Sequence, residues 1–185
     1  MACDDRELVL SARSGNRDAL AALTAAHGER VLRFLQVMTG DASTADDLAQ
    51  DSWSTAFTRL DQLESPERFG NWLLAIAVNR CRNWLKREVQ RHHLGGDTVG
   101  ELAAPARSAL SSLVRREDAV HLQLAIDRLP ILLREAFVLH EVEGLPYQEL
   151  AVLCEATPNT CQVRVHRAKA LLRQQLGPHV ATRWR

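Results

Sequence analysis

The chain has 185 residues, 46% of them hydrophobic and only 5% aromatic, with 23 basic side chains balanced by 23 acidic ones. That length holds one medium domain or two small ones, with cores filled by Leu, Ala and Val, a composition that favours helices over strands. No apolar run approaches the ~20 residues of a membrane span, and the acidic start "MACDDRELVL" lacks a signal-peptide core, so a cytoplasmic protein without membrane insertion is expected.

In chain order, helices are predicted almost throughout. "DRELVLSARSG" is a short amphipathic helix stopped at Gly15. "RDALAALTAAHGERVLRFLQVMTG" sets Leu20, Leu23, His27, Val31, Leu35 and Met38 near one face, and Gly40 ends it. "STADDLAQDSWSTAFTRL" opens with a capping-box pattern from Thr44 to Asp47 and turns Leu48, Trp53, Ala56 and Leu60 inward. "SPERFGNWLLAIAVNRCRNWLKREVQRHH" begins with Ser65 as cap and Pro66 at the first position. Its apolar positions include Phe69, Trp72, Leu73, Ile76, Ala77 and Trp84.

The periodicity then fails. "LGGDTVGELAAPARSALSS" is rich in glycine and serine, which predicts a flexible linker. Helical spacing resumes near Val114, runs through "AVHLQLAIDRLP" and "LLREAFVLHEVEG", and ends at Gly177-Pro178. The expected layout is an all-α chain of two small helical domains. It comprises residues 1–91, a linker over 92–115, a second domain over 116–178, and a basic tail over 179–185.

The zero net charge conceals segregation. Asp41, Asp46, Asp47 and Asp51 are acidic, and Arg80, Arg82, Lys86, Arg87 and Arg91 are basic. The stretch from Asp127 to Glu155 is acidic again, and no acidic residue follows it, while Arg164, Arg167, Lys169 and Arg173 do. Two basic blocks on amphipathic helices point to a nucleic acid, although charge runs are often only solvated faces. Cys3, Cys81, Cys154 and Cys161 form no C-x-x-C pair or zinc set, and His92, His93 and His121 have no metal spacing. No cofactor or metal is expected. Reduced, buried thiols are the simplest reading, and Cys154 and Cys161 leave room for a redox-sensitive pair.

"GLPYQELAVLCEATPNTCQVRVHRAKALL" reads as two short helices around "EATPNT", with Thr157 able to cap the second and Pro158 at its first position. The second helix carries Asn159, Gln162, Arg164, Arg167 and Lys169 as polar positions, with Val165, Ala168 and Leu172 facing inward. A short helix, a turn and a polar basic helix match a helix-turn-helix, whose second helix fits the major groove. A helical hairpin with a solvated basic face gives the same pattern.

The stretch from Leu129-Pro130 through Arg134-Glu135, Glu143-Gly144-Leu145, Tyr147, Glu149 and Ala151 resembles region 4 of extracytoplasmic-function sigma factors, in the sigma-70 family. Thr160, Arg164, His166, Arg167 and Ala168 continue the resemblance. Upstream, "TGDASTADDLAQDSWSTAF" is similar to region 2.2, and "RFGNWLLAIAVNRCRNWLKR" to regions 2.3 and 2.4. The resemblance implies a region 2 bundle tethered to a region 4 helix-turn-helix. It also implies a non-enzymatic factor that binds core RNA polymerase, directs it to promoter DNA, and is controlled by an anti-sigma factor.

By position, Asp47, Leu48, Gln50 and Asp51 match the segment that docks on the polymerase. Asn79, Arg80, Asn83 and Arg87 match the −10-facing helix, with Arg68 and Phe69 at the loop handling an exposed base. Thr157, Asn159, Thr160, Gln162, Val163, Arg164, Arg167 and Lys169 match the −35 reader, with Lys169 as a phosphate contact. Departures are Glu155 where the family has a small residue, Gln162 for a basic residue, Val163 for a hydroxyl, and Pro146 for a capping serine. A helix-turn-helix regulator and a sigma-like protein-binding adaptor without promoter recognition are the alternatives. The N-terminal half has no strand pattern of a receiver domain, and no nucleophile–base spacing supports an enzyme.

Overall fold

The computed structural model describes residues 4–94 and 116–181, with side chains over 4–91 and 119–176. The expected linker lies almost wholly outside the described residues, as do the side chains of His92, His93 and the basic tail. All described regular structure is helical: α1 (Asp5–Arg13), α2 (Arg17–Thr39), α3 (Ala42–Thr58), α4 (Phe69–Leu94), α5 (Arg116–Asp127), α6 (Ile131–Phe137), α7 (Tyr147–Leu153) and α8 (Pro158–Ala181).

Local chemistry sets the helix ends. The Asp4 and Asn16 side chains accept backbone N–H groups at the starts of α1 and α2. Gly40, at φ +70°, closes α2 by donating its N–H to the Gln36 carbonyl at 2.9 Å. α3 starts earlier than the sequence pattern suggested. Asp41, not Thr44, is its cap, and its carboxylate accepts the Thr44 N–H at 2.7 Å. That bond holds the Asp41 carboxyl below its ordinary value. Before α4, Pro66–Arg68 forms a single 3₁₀ turn, and the Ser65 side chain makes no capping bond, contrary to expectation. α6 runs directly into a π turn over Val138–Val142.

In the first domain, α2 packs against α1, α3 and α4. Its apolar stripe is the predicted one, with Leu23, Val31, Leu35 and Met38 buried, joined by Phe34 and Val37. From α4, Phe69, Leu73, Leu74, Ala77 and Val78 complete the core. In the second domain, α8 lies against α5, α6 and α7, and Cys161, Val165, Ala168 and Leu172 form its buried stripe.

The domains also touch. α2 meets α5 and the π turn. The side chains of Gln123 and Arg134 donate to the Val37 and Met38 carbonyls at 3.0 and 2.8 Å. Those carbonyls lie at the end of α2, where no intrahelical partner exists. The second domain thus caps a helix of the first.

Candidate nucleic-acid interface

α3 and α4 pack side by side, leaving a polar groove of about 480 Å³ lined by Asp47, Gln50, Asp51, Arg80, Asn83 and Arg87. All six are exposed. Arg80 lies 3.5 Å from Asp51 and donates to the Thr55 hydroxyl at 2.6 Å. Two sets of residues expected to serve different partners thus share one surface. Leu48 also lines the groove, although at 8% exposure most of its side chain is packed into the core.

A second cleft, of about 710 Å³, opens at the domain junction. Arg68, Asn71 and Trp72 line it from the first domain, and Glu149, Val152 and Leu153 from the second. Arg68 is exposed at the position expected for it. Phe69 is not: its side chain is fully buried, with ring centroids 5.4 Å from His27 and 6.2 Å from Trp53 and Trp72. Phe69 therefore anchors the loop from beneath rather than meeting a base. His27 is fixed in turn by Asp5 at 2.8 Å. Gly70 permits this packing, since a Cβ there would lie 2.8 Å from the His27 ring. Asn79 is exposed, and its carbonyl oxygen accepts from Arg82 at 3.2 Å.

On α8, the Thr157 hydroxyl accepts the Thr160 N–H at 3.1 Å, the predicted cap. Thr157, Asn159, Gln162, Val163 and Arg167 are exposed, and Thr160 is half-buried beside the cap. Arg164 departs from the expectation. Its side chain leans inward, with Nη1 buried and unbonded. Lys169 is also engaged, donating to Glu141 at 3.1 Å with both side chains largely covered. His166 and Arg173 are exposed on this helix and were absent from the expected set. Their signal was the helical step from Gln162 to His166, Ala170 and Arg173.

Glu155 occupies the turn at φ +49°, the only positive-φ non-glycine among the described residues. A side chain in this region costs about 1–3 kcal/mol. Its carboxylate points back to the first domain, 3.5 Å from Arg82, and is 76% exposed, so solvent screens the pair. Glu155→Gly should therefore raise stability by about 1 kcal/mol, read as a melting-temperature rise of roughly 2–4 °C. Thermal unfolding followed by circular dichroism checks it.

Cys81, Cys154 and Cys161 are free and buried. Burial pushes the Cys81 thiol up to about 12 and raises those of Cys154 and Cys161. The neighbouring Cys154 pulls the Cys161 thiol down a little, against the larger upward effect of burial. Scarce thiolate makes all three poor nucleophiles. Among the described residues no His, Cys, Asp and Glu group could hold a metal ion, and no helix is long and apolar enough to cross a membrane.

Comparison with known proteins places this geometry. The sigma-70 region 2 family matches residues 23–91, and sigma-70 region 4 matches residues 120–172. The RNA polymerase sigma factor CarQ of Myxococcus xanthus is 34% identical over 89% of this chain and 93% of its own. The RNA polymerase sigma-H factor of Pseudomonas aeruginosa is 27% identical over 94% of both chains. Among solved structures, CnrH in complex with the cytosolic domain of CnrY superposes with a TM-score of 0.69 at 26% identity, over 94% of this chain and 97% of that one. The sigma factor RpoE in complex with the anti-sigma factor NepR, from Bartonella quintana, shares the fold with a TM-score of 0.68 at 24% identity, covering 83% of this chain and 93% of that one. With two family matches in order and a relative of this identity along nearly its whole length, the chain belongs to the sigma-70 family of RNA polymerase sigma factors, in its extracytoplasmic-function group.

Proposed function

We propose that the chain docks on core RNA polymerase through the exposed acidic face of α3 and reads a promoter with two separate faces. One observation carries the reading: a polar α3–α4 groove and an exposed α8 face lie in two domains of one chain. Asp47, Gln50 and Asp51 supply the docking contacts. Arg68, Asn79, Asn83 and Arg87 face the −10 element, where single strands are held by charge and stacking. Thr157, Asn159, Gln162, Val163 and Arg167 face the −35 duplex, joined by His166. The partners are core polymerase, promoter DNA and an anti-sigma factor. The last is supported by a relative of the same fold in complex with an anti-sigma factor. The protein positions a polymerase and performs no bond chemistry of its own.

Size-exclusion chromatography with purified core polymerase tests this directly. The full chain should co-elute with core. Free elution at micromolar concentrations contradicts the reading and favours a helix-turn-helix regulator.

Within the −35 reader, Arg167→Ala should cost about 1–3 kcal/mol of specific binding and relax preference at one position, as loss of a paired guanine contact does. Lys169→Ala should change little, because Glu141 already holds that ammonium. Binding-site selection with the holoenzyme reads both. An unchanged preferred sequence in Arg167→Ala removes it from this role.

A further inference from the structure

Opposite its buried stripe, α8 presents Asn159, Gln162, Val163, His166 and Arg167, spaced as neighbours on one helix face and all exposed. Val163 stands at the centre of that face, in the second turn of the helix. The early turns of the second helix are those that meet base edges in a helix-turn-helix. At 42% exposure Val163 is the one large apolar side chain exposed on α8 among the described residues. It lies outside the inner stripe of Cys161, Val165, Ala168 and Leu172. A β-branched residue is also a poorer helix former than alanine, lysine or glutamine. Neither the core nor the helix calls for a valine here.

The cations around it are mostly occupied. Arg164 leans inward with Nη1 buried, and Lys169 is held by Glu141 at 3.1 Å. Arg167 is the one arginine or lysine left on this face. Paired contacts to guanine come from arginine or lysine, so this face can make one of them. Discrimination at its other positions rests on uncharged groups. The amides of Asn159 and Gln162 suit adenine. Valine neither donates nor accepts a hydrogen bond. Pressed on a polar base edge, it strips water from an amino, carbonyl or ring nitrogen and returns no bond, which is a loss at each such base. The group in the major groove that rewards it is the C5-methyl of thymine.

We infer that Val163 selects a thymine in the −35 duplex by packing its methyl groups on the thymine C5-methyl. The inference rests on the reading of α8 as the −35 reader, and adds the base that this residue reads. Serine or threonine at this place could hydrogen-bond to several bases, whereas valine narrows the choice to one.

The probe is the promoter selected by holoenzyme made from core polymerase and the full chain. Each thymine of its −35 element, on either strand, is replaced singly by deoxyuridine. That change removes the C5-methyl and keeps every hydrogen-bonding group. Affinity should fall about four-fold at one thymine, the worth of one methyl group withdrawn from water. In Val163→Ser holoenzyme the same replacement should cost nothing, because both changes remove one shared contact. Val163→Ile should keep the sensitivity. A loss that persists in Val163→Ser comes from the duplex itself and overturns the inference. So does a wild-type holoenzyme indifferent to every deoxyuridine, or a selected −35 element without thymine on either strand. The deoxyuridine series needs no variant, so a poorly folded Val163→Ser leaves the wild-type result to decide. If Arg167→Ala shifts the selected sequence while no deoxyuridine has an effect, α8 remains the reader and only the thymine contact is lost. If selection enriches no −35 sequence, the reading of α8 is wrong and the inference falls with it.

Discussion

Arg134→Met should remove about 3–5 kcal/mol of stability, the cost of breaking a buried ion pair by taking one partner away. The Arg134 side chain is 9% exposed and lies 3.3 Å from the Asp127 carboxylate. It also donates to the Asp127 backbone carbonyl and, across the domain junction, to that of Met38. Burial pushes the Asp127 carboxyl up even with the arginine beside it, and pushes Arg134 down. Both ions are therefore disfavoured by their site, and each is tolerated because of the other. The pH sign follows. A carboxyl whose folded pKa is raised contributes stability at low pH that is lost as pH rises through that value. Without the arginine the rise is larger. The deficit of Arg134→Met should thus be greatest at neutral pH and smaller near pH 5. Urea unfolding at the two pH values measures this. A deficit independent of pH would show that the lost carbonyl bonds, rather than the stranded carboxylate, dominate.

Phe69→Ala should cost a similar amount, about 3–5 kcal/mol, as for other buried aromatic truncations. Against a total of about 5–15 kcal/mol that is a large share of the whole. The ring is fully buried among His27, Trp53 and Trp72, and a cavity there would loosen the turn that carries Arg68 and Gly70. Phe69→Leu keeps an apolar filling and should cost less. The two residues of the loop then separate by function. Phe69→Leu should open promoters with core polymerase nearly as well as wild type, whereas Arg68→Ala should open them poorly. The reverse result would return Phe69 to the surface role its motif suggested.

That contrast shows how the sequence can mislead. Helical spacing put Phe69 inside with Leu73, Ile76 and Ala77, while motif position put it on DNA. Spacing was the better guide, because it follows from burial at that site. The same lesson holds on α8. Arg164 stands three residues after Cys161 and four before Ala168, so the inner stripe already assigned it a half-buried place. Arg167, one step further round, is exposed. Leu48 was likewise readable as core from its own helix face.

Other features were beyond local reasoning. Asp41 and Thr44 are both good caps, and the choice between them depends on where Gly40 turns the chain out of α2. The meeting of Glu143 with Arg30 and Arg33 joins residues more than a hundred positions apart. The charge blocks gave no hint of it, because Arg30 and Arg33 lie upstream of all of them. Glu155 was visible as an odd residue in a turn, but its positive φ and its direction toward Arg82 appear only in three dimensions.

The most direct test of the whole account is transcription from a promoter chosen by selection with the reconstituted holoenzyme. Core polymerase alone should give no specific transcript, and adding the chain should give one start site. Asp47→Lys should lose both transcript and core association. Asn79→Ala should bind core normally and lose the transcript. If core with the wild-type chain yields no promoter-specific transcript although the two co-elute, the chain is a sigma-shaped adaptor and the assignment of its DNA-reading faces is wrong.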